Sequence, residues 1–227
     1  MYNNADTIAL KITGKAFEDS SLLKKYVNIL EELLVKHKVV AVTGGGNSAR
    51  KYIELAQSIG IESNYWLDLV GIWVSRINGL LLISALSNYA YPFTPLTIEE
   101  ALTALKSCRL IVMGGLMPGQ STASVLLQVA EALGSRKVYY YSAIGRVYDK
   151  DPTKHADAKP LNIVTASELK SLLEQRSLPG EYALIDVKAL NIAIRSNIEI
   201  QVLNYKEPVQ IFRAIEGENP GTIIIPK

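Results

Sequence analysis

Six short runs of apolar residues, at positions 8–12, 39–43, 110–113, 138–141, 200–203 and 222–225, alternate along the chain with stretches of helical spacing. Runs this uniformly apolar do not suit a strand with one wet face, so they read as strands buried on both sides of a sheet. Between the first two, Leu22, Leu23, Tyr26, Val27, Leu30, Leu33 and Leu34 recur at helical period, and the same period runs through 49–59, 69–86, 98–105 and 121–133. Strands alternating with helices predict an α/β fold with a mostly parallel sheet and helices on both faces.

The alternation continues to the C-terminus. Thr165 with Glu168 three residues on forms a capping box, and Asn197 is placed to end a helix over 187–196. Residues 143–162 lack a clear period and carry Asp-Pro and Lys-Pro turns, which predicts a surface flap over a site. No repeat or Gly/Ser linker interrupts the chain, and 227 residues suffice for one large core, so a single domain is expected.

A formal net charge of +2 excludes the global basic field of a nucleic-acid binder or a polybasic membrane protein, so an anionic ligand has to be met by local geometry. The apolar stretch 67–91 is interrupted by Asp68, Arg76 and Asn78, which marks a core helix lining a site, not a membrane span. The single Cys108 has no internal partner, and no leader-like segment opens the chain, so a reducing cytoplasm is the expected compartment. His37 and His155 have no metal-ligand spacing and are expected on the surface, while Cys108 is expected to be packed.

In a parallel sheet, ligands gather where strands run into helix N-termini, whose free N–H groups and dipole attract phosphate. Three turns fit. Lys11-Ile12-Thr13-Gly14-Lys15 leaves the first strand with an ammonium group on either side of a glycine. Residues 42–50, VTGGGNSAR, pass from strand through three glycines directly into a helix, with Arg50 near its first turn. Residues 113–122, MGGLMPGQST, repeat the strand–glycine–helix order and end in Ser121 and Thr122, able to cap the helix or to meet a ligand. Neither the dinucleotide-binding nor the Walker spacing of glycines is present. Two glycine turns and a lysine-flanked one on one sheet edge suit two phosphate-bearing ligands. In the buried helix, Asp68 and Arg76 stand two turns apart, a carboxylate suited to ribose hydroxyls and a guanidinium suited to phosphate.

KITGK (11–15), VTGGGNSAR (42–50), LDLVGIWVSRIN (67–78), GGLMPGQST (114–122) and VYDKDP (147–152) resemble, in order, the motifs of the archaeal-type uridylate kinases of the amino acid kinase superfamily. The resemblance implies a three-layer α/β/α sandwich. It implies one domain over 1–227, with an acceptor-nucleotide part over about 1–135 and an ATP part over about 136–227. It further implies a homo-oligomer, a hexamer, and in-line transfer from ATP to UMP for pyrimidine nucleotide supply. Mg2+ would be bound mainly through the nucleotide phosphates, with no protein metal site.

By position, Lys11 and Lys15 would be catalytic. Gly45, Asp68, Arg76, Leu116, Met117, Pro118, Gly119, Gln120, Ser121 and Thr122 would bind UMP. Gly14, Gly46, Arg50, Ser142, Tyr148 and Asp151 would bind ATP.

One departure stands out. The family usually reads Thr-Asn-Val-Asp-Gly before the Val-Tyr pair, and its Asp helps organise the catalytic lysine; this chain reads Ser142-Ala143-Ile144-Gly145-Arg146. The alternative it raises is a nucleotide-binding, storage or regulatory homologue with impaired transfer. Val187 in place of a common Pro carries no functional weight. Isopentenyl phosphate kinases carry a His near the glycine triplet, where this chain has none. Acetylglutamate, aspartate and carbamate kinases lack the helix motif of 67–78.

Overall fold

The computed structural model describes residues 7–175 and 185–227. β1 (Thr7–Ile12) leads through a short 3-10 helix (Gly14–Glu18) into α1 (Ser20–Lys36), and β2 (Lys38–Thr43) into α2 (Gly46–Ser58) and α3 (Asn64–Ala85). Then follow α4 (Ile98–Ala104), β3 (Leu110–Met113), α5 (Thr122–Leu133) and β4 (Lys137–Ser142). The expected flap is a two-stranded antiparallel hairpin, β5 (Val147–Tyr148) with β6 (Pro160–Leu161). The chain continues through β7 (Ile163–Thr165), α6 (Ala166–Gln175), α7 (Val187–Ser196), β8 (Glu199–Asn204), α8 (Gln210–Ile215) and β9 (Thr222–Ile225).

Seven strands form one sheet in the order β3-β2-β1-β4-β8-β9-β7. Every pairing is parallel except β8 with β9. All six expected strands are present, and the central ones are buried along nearly their whole length, as double-sided burial requires. One face of the sheet packs into a core with α4, α5 and α7, around Leu126, Leu127 and Leu190. The other packs α1 and α3, around Tyr26, Leu30, Leu34 and Leu82. That is the three-layer α/β/α sandwich.

Local chemistry sets the element ends. The Asp19 carboxylate accepts the N–H groups of Ser21 and Leu22 to start α1; the Ser21 hydroxyl first, and those two N–H groups after it, hold its acid below the ordinary carboxylate range. The Thr165–Glu168 capping box is reciprocal, each side chain accepting the other's backbone N–H at 3.0 and 2.8 Å. Asn197 closes α7 in the left-handed conformation at φ 52°.

α3 is long and apolar enough to cross a membrane by length and composition. Its residues Leu67, Ile72, Val74, Ser75, Asn78, Gly79, Leu82 and Ile83 are nevertheless buried within the chain, as a core helix requires. Tyr139, Tyr140 and Tyr141 are buried inside the chain, because β4 is central in the sheet. Cys108 is half-buried against the core, and His155 is exposed. His37 is half-buried where α1 ends.

Candidate active site

The chain leaves β1 toward β2 on one side and returns past it to β4 on the other, so the sheet has its topological switch point between β1 and β4. A crevice opens outside the carboxyl ends of strands that diverge in this way. Lys11 stands near the end of β1 as the register partner of Tyr140 on β4, and Ala143, just beyond β4, lines the same crevice. The crevice is a cavity of about 380 Å³.

Its floor is built by two backbone loops in contact. After Ile12 the chain enters the 3-10 helix at Gly14, which brings Lys15 to the cavity. After β2, Gly44 and Gly45 lead to Gly46, whose φ of 65° opens α2. The two loops are tied by Glu18, which sequence reasoning did not single out. Its carboxylate accepts the backbone N–H and the side-chain amide of Asn47, each at 2.7 Å. An acid there stabilises the first turn of α2, and Asn47 in turn accepts Arg50 at 3.0 Å.

α3 holds both glycine turns. The Thr43 hydroxyl sits 2.8 Å from the Ser75 carbonyl and 3.0 Å from that of Met113, and the Asn78 amide donates to the Gly44 carbonyl at 2.8 Å. The Ser75 hydroxyl accepts the Gly115 N–H at 2.8 Å, while Asp68 accepts that of Gly119 at 2.7 Å. Asp68, Gly71, Ile72 and Ser75 all line the cavity, at the i, i+3, i+4 and i+7 spacing of one helix face. That spacing was readable inside LDLVGIWVSRIN, although only Asp68 and Arg76 were singled out from it.

The structure brings Lys11, Gly14, Lys15, Gly45, Gly46, Arg50, Asp68, Gln120 and Thr122 into this one cavity, with Thr13, Gly44 and Gly115 as further lining. Arg76 does not share it with Asp68. Its guanidinium lies over the Trp73 ring, 5.0 Å from the centroid, and donates to the carbonyls of Gly115 at 3.1 Å and Leu116 at 3.4 Å. Partial burial pulls its pKa down from the usual guanidinium value.

Ser121 is likewise occupied elsewhere. Its hydroxyl accepts the Ser124 N–H as the N-cap of α5 and donates to Asp186, whose other oxygen accepts the Ser124 hydroxyl at 2.9 Å. Leu116, Met117, Pro118 and Gly119 form the rim of that turn outside the cavity lining, with Gly119 held from its carbonyl side by Lys188 at 2.9 Å. Asp186 and Lys188 had no signal in the sequence, since they reach this turn from a helix some 65 residues away.

Ser142, Tyr148 and Asp151 lie beyond the cavity on the β4–hairpin side. Ser142 accepts the Ile144 N–H at 3.1 Å. Asp151 is held ionised below its ordinary range by the Thr153 hydroxyl and backbone N–H. Arg146 points away toward Asn162 and the Pro220 carbonyl.

Chemically, the cavity presents two ammonium groups, one guanidinium and the backbone of two glycine turns against a single carboxylate. That donor set suits phosphate oxygens and not a bare cation. The carboxylate, set apart on α3, suits the hydroxyls of a sugar.

Comparison with known proteins agrees in kind. The pattern that defines the amino acid kinase family matches residues 6–204. The chain is 52% identical to the uridylate kinase of Staphylothermus marinus over 98% of its own length and 100% of that protein. It is 42% identical to the uridylate kinase of Pyrobaculum aerophilum over 96% and 98% of the two chains. Among solved structures, the uridylate kinase of Archaeoglobus fulgidus superposes with a TM-score of 0.86 at 29% identity, covering 96% of this chain and 99% of that one.

Proposed function

The chain belongs to the amino acid kinase family, within its uridylate kinases, and we propose that it transfers the γ-phosphoryl group of ATP to UMP, giving ADP and UDP. An oxygen of the UMP phosphate forms the new bond to phosphorus, and the bond to the bridging oxygen of ADP breaks. A single observation carries this reading: Lys11, Lys15, Arg50 and the two glycine turns share one cavity with Asp68. Phosphoryl transfer needs mainly alignment and charge neutralisation, and this set supplies both.

In this reading Lys11 and Lys15 stabilise the phosphoryl group in flight, and Gly14, Gly46 and Arg50 hold the donor phosphates. Gly45, Asp68, Gln120 and Thr122 take UMP, with Arg76 and residues 116–119 shaping the acceptor side and Ser121 capping α5. Ser142, Tyr148 and Asp151 serve the nucleoside end of ATP. The division into an acceptor part over about 1–135 and an ATP part over about 136–227 follows. Mg2+, carried by the nucleotide phosphates, adds charge neutralisation there.

Cytoplasmic pyrimidine nucleotide supply is the corresponding role, and a hexamer the corresponding assembly. Self-association is supported by α3, where Trp66, Trp73, Ile77, Leu80 and Leu81 are exposed on a helix whose other side is buried in the core. Light scattering of the purified protein tests it, and a monomer at micromolar concentration refutes it.

A second reading, a nucleotide binder without turnover, is favoured by Ala143 lining the cavity and Gly145 beyond it, where the family carries Asn and Asp. The deciding experiment is ADP release with ATP, Mg2+ and one acceptor at a time: UMP, CMP, AMP, isopentenyl phosphate, acetylglutamate or none. Turnover with UMP alone supports the kinase; tight binding of UMP and ATP without ADP release supports the binder.

A further inference from the structure

Lys11 is a buried cation with an unusual neighbour. Only 7% of the residue is exposed, and among the described residues no carboxylate pairs with it. The chain leaving β4 beside it, Ser142-Ala143-Ile144-Gly145-Arg146, contains no acid. A side chain at Gly145 would be strained as the turn stands. Gly145 sits at φ 80°, and a Cβ there would lie 3.1 Å from the Cβ of Asn204. A buried ammonium needs compensation for its lost hydration.

What faces it is an aromatic ring. The Lys11 ammonium nitrogen lies 4.4 Å from the centroid of Tyr140, itself 6% exposed and paired in register with Lys11 across the β1–β4 seam. The negative face of the ring attracts the cation without accepting one of its N–H bonds. The ammonium is therefore not tied to a carboxylate, and its donors can turn to phosphate oxygens. The ring also brings no formal negative charge, so the positive field at the cavity is undiminished.

We propose that Tyr140 is a positioning residue, whose ring face orients the Lys11 ammonium for phosphoryl transfer in a turn that supplies no carboxylate. The proposal rests on the reading of the cavity as a phosphoryl-transfer site.

Two measurements on the full chain test it. In the first, position 140 carries Phe, Leu, or phenylalanines with one, two and three ring fluorines, which weaken the ring's negative face at nearly constant shape. Tyr140→Phe is expected to keep kcat within about threefold, while Tyr140→Leu and the trifluoro ring lower it by about tenfold, with KM for UMP and ATP nearly unchanged. The decline should be graded with fluorine number, which a mere packing role would not produce. A flat kcat across the ring series overturns the proposal.

The second measurement needs no turnover. In protein labelled with 13C-lysine, the Lys11 ε-methylene signal, identified by its loss in Lys11→Arg, should be displaced upfield by the ring current. The displacement should persist in Tyr140→Phe and vanish in Tyr140→Leu. An undisplaced wild-type signal overturns the contact and the proposal with it. A displaced signal in a protein that does not phosphorylate UMP upholds the orientation of Lys11 and refutes the proposed function instead.

Discussion

Gly14 and Gly46 meet backbone to backbone: a Cβ on Gly14 would lie 1.9 Å from the Gly46 nitrogen and 2.4 Å from its Cα. Neither loop has a flexible side chain to move aside, so any residue but glycine at 14 must part the two turns that floor the cavity. Gly14→Ala is expected to cut kcat/KM by about a hundredfold, since an ångström of misalignment costs that much in transfer geometry. It should also cost stability on the scale of core overpacking, about 1–3 kcal/mol. Steady-state kinetics with a thermal melt check both, and near-wild-type values in the two would show that the loops are not in obligatory contact.

Lys15 tests the charge argument. It reaches the cavity from the 3-10 helix and not from the strand, and it lines the same space as Lys11. A group that acts mainly on developing charge affects kcat and leaves ground-state binding alone. Lys15→Ala should therefore lower kcat by on the order of a hundredfold with UMP affinity nearly intact. Equal losses in UMP binding and turnover would remove Lys15 from the transition state.

Asp68 does two things that can be separated. One of its oxygens holds the Gly119 N–H at 2.7 Å, and the residue lines the cavity. Asn at this position keeps one acceptor and loses the charge and the second. Asp68→Asn is expected to raise KM for UMP by about tenfold or more, with KM for ATP unchanged. An effect confined to ATP would take Asp68 out of the acceptor site.

The strands were legible because burial on both faces leaves short apolar runs rich in Val and Ile, set between stretches of helical period. β5, β6 and β7 were not, since segments of two or three residues have no period to read. α3 was expected from residue 69 and begins at Asn64, because its first turn shows exposed Tyr65 and Trp66 and breaks the core-facing pattern. The glycine turns announced the cavity, and Lys11, Lys15, Arg50 and Asp68 all reached it. Arg76 did not, because spacing along a helix gives the face and not the direction in which a long side chain bends, and the carbonyls of Gly115 and Leu116 lay nearer. Glu18 and Asp186 were invisible for a different reason: each acts on a loop supplied by another part of the chain.

Behind the third glycine turn, α5 packs on α7. At the far end of that contact Arg195 donates to both oxygens of Glu131, at 2.9 and 2.5 Å, and the Ser196 hydroxyl donates to one of them. The Ser196 hydrogen bond first, and Arg195 second, hold the Glu131 carboxyl below its ordinary pKa of 4.5. A carboxyl whose folded pKa is depressed stabilises the fold above its unfolded value and loses that contribution as the pH falls through the folded one. Glu131→Gln should therefore lower Tm at pH 7, and the gap to wild type should close as the pH falls below 4.5. Glu131 and Arg195 are partly exposed, so the effect is small, about 1 kcal/mol or less, and weaker at high salt. Calorimetry of both proteins from neutral to acid pH checks it, and a Tm difference that does not change with pH would mean that packing, and not the charge on Glu131, joins the two helices. Because this end lies away from the cavity lining, kcat/KM for UMP should stay at the wild-type value in Glu131→Gln while Tm moves.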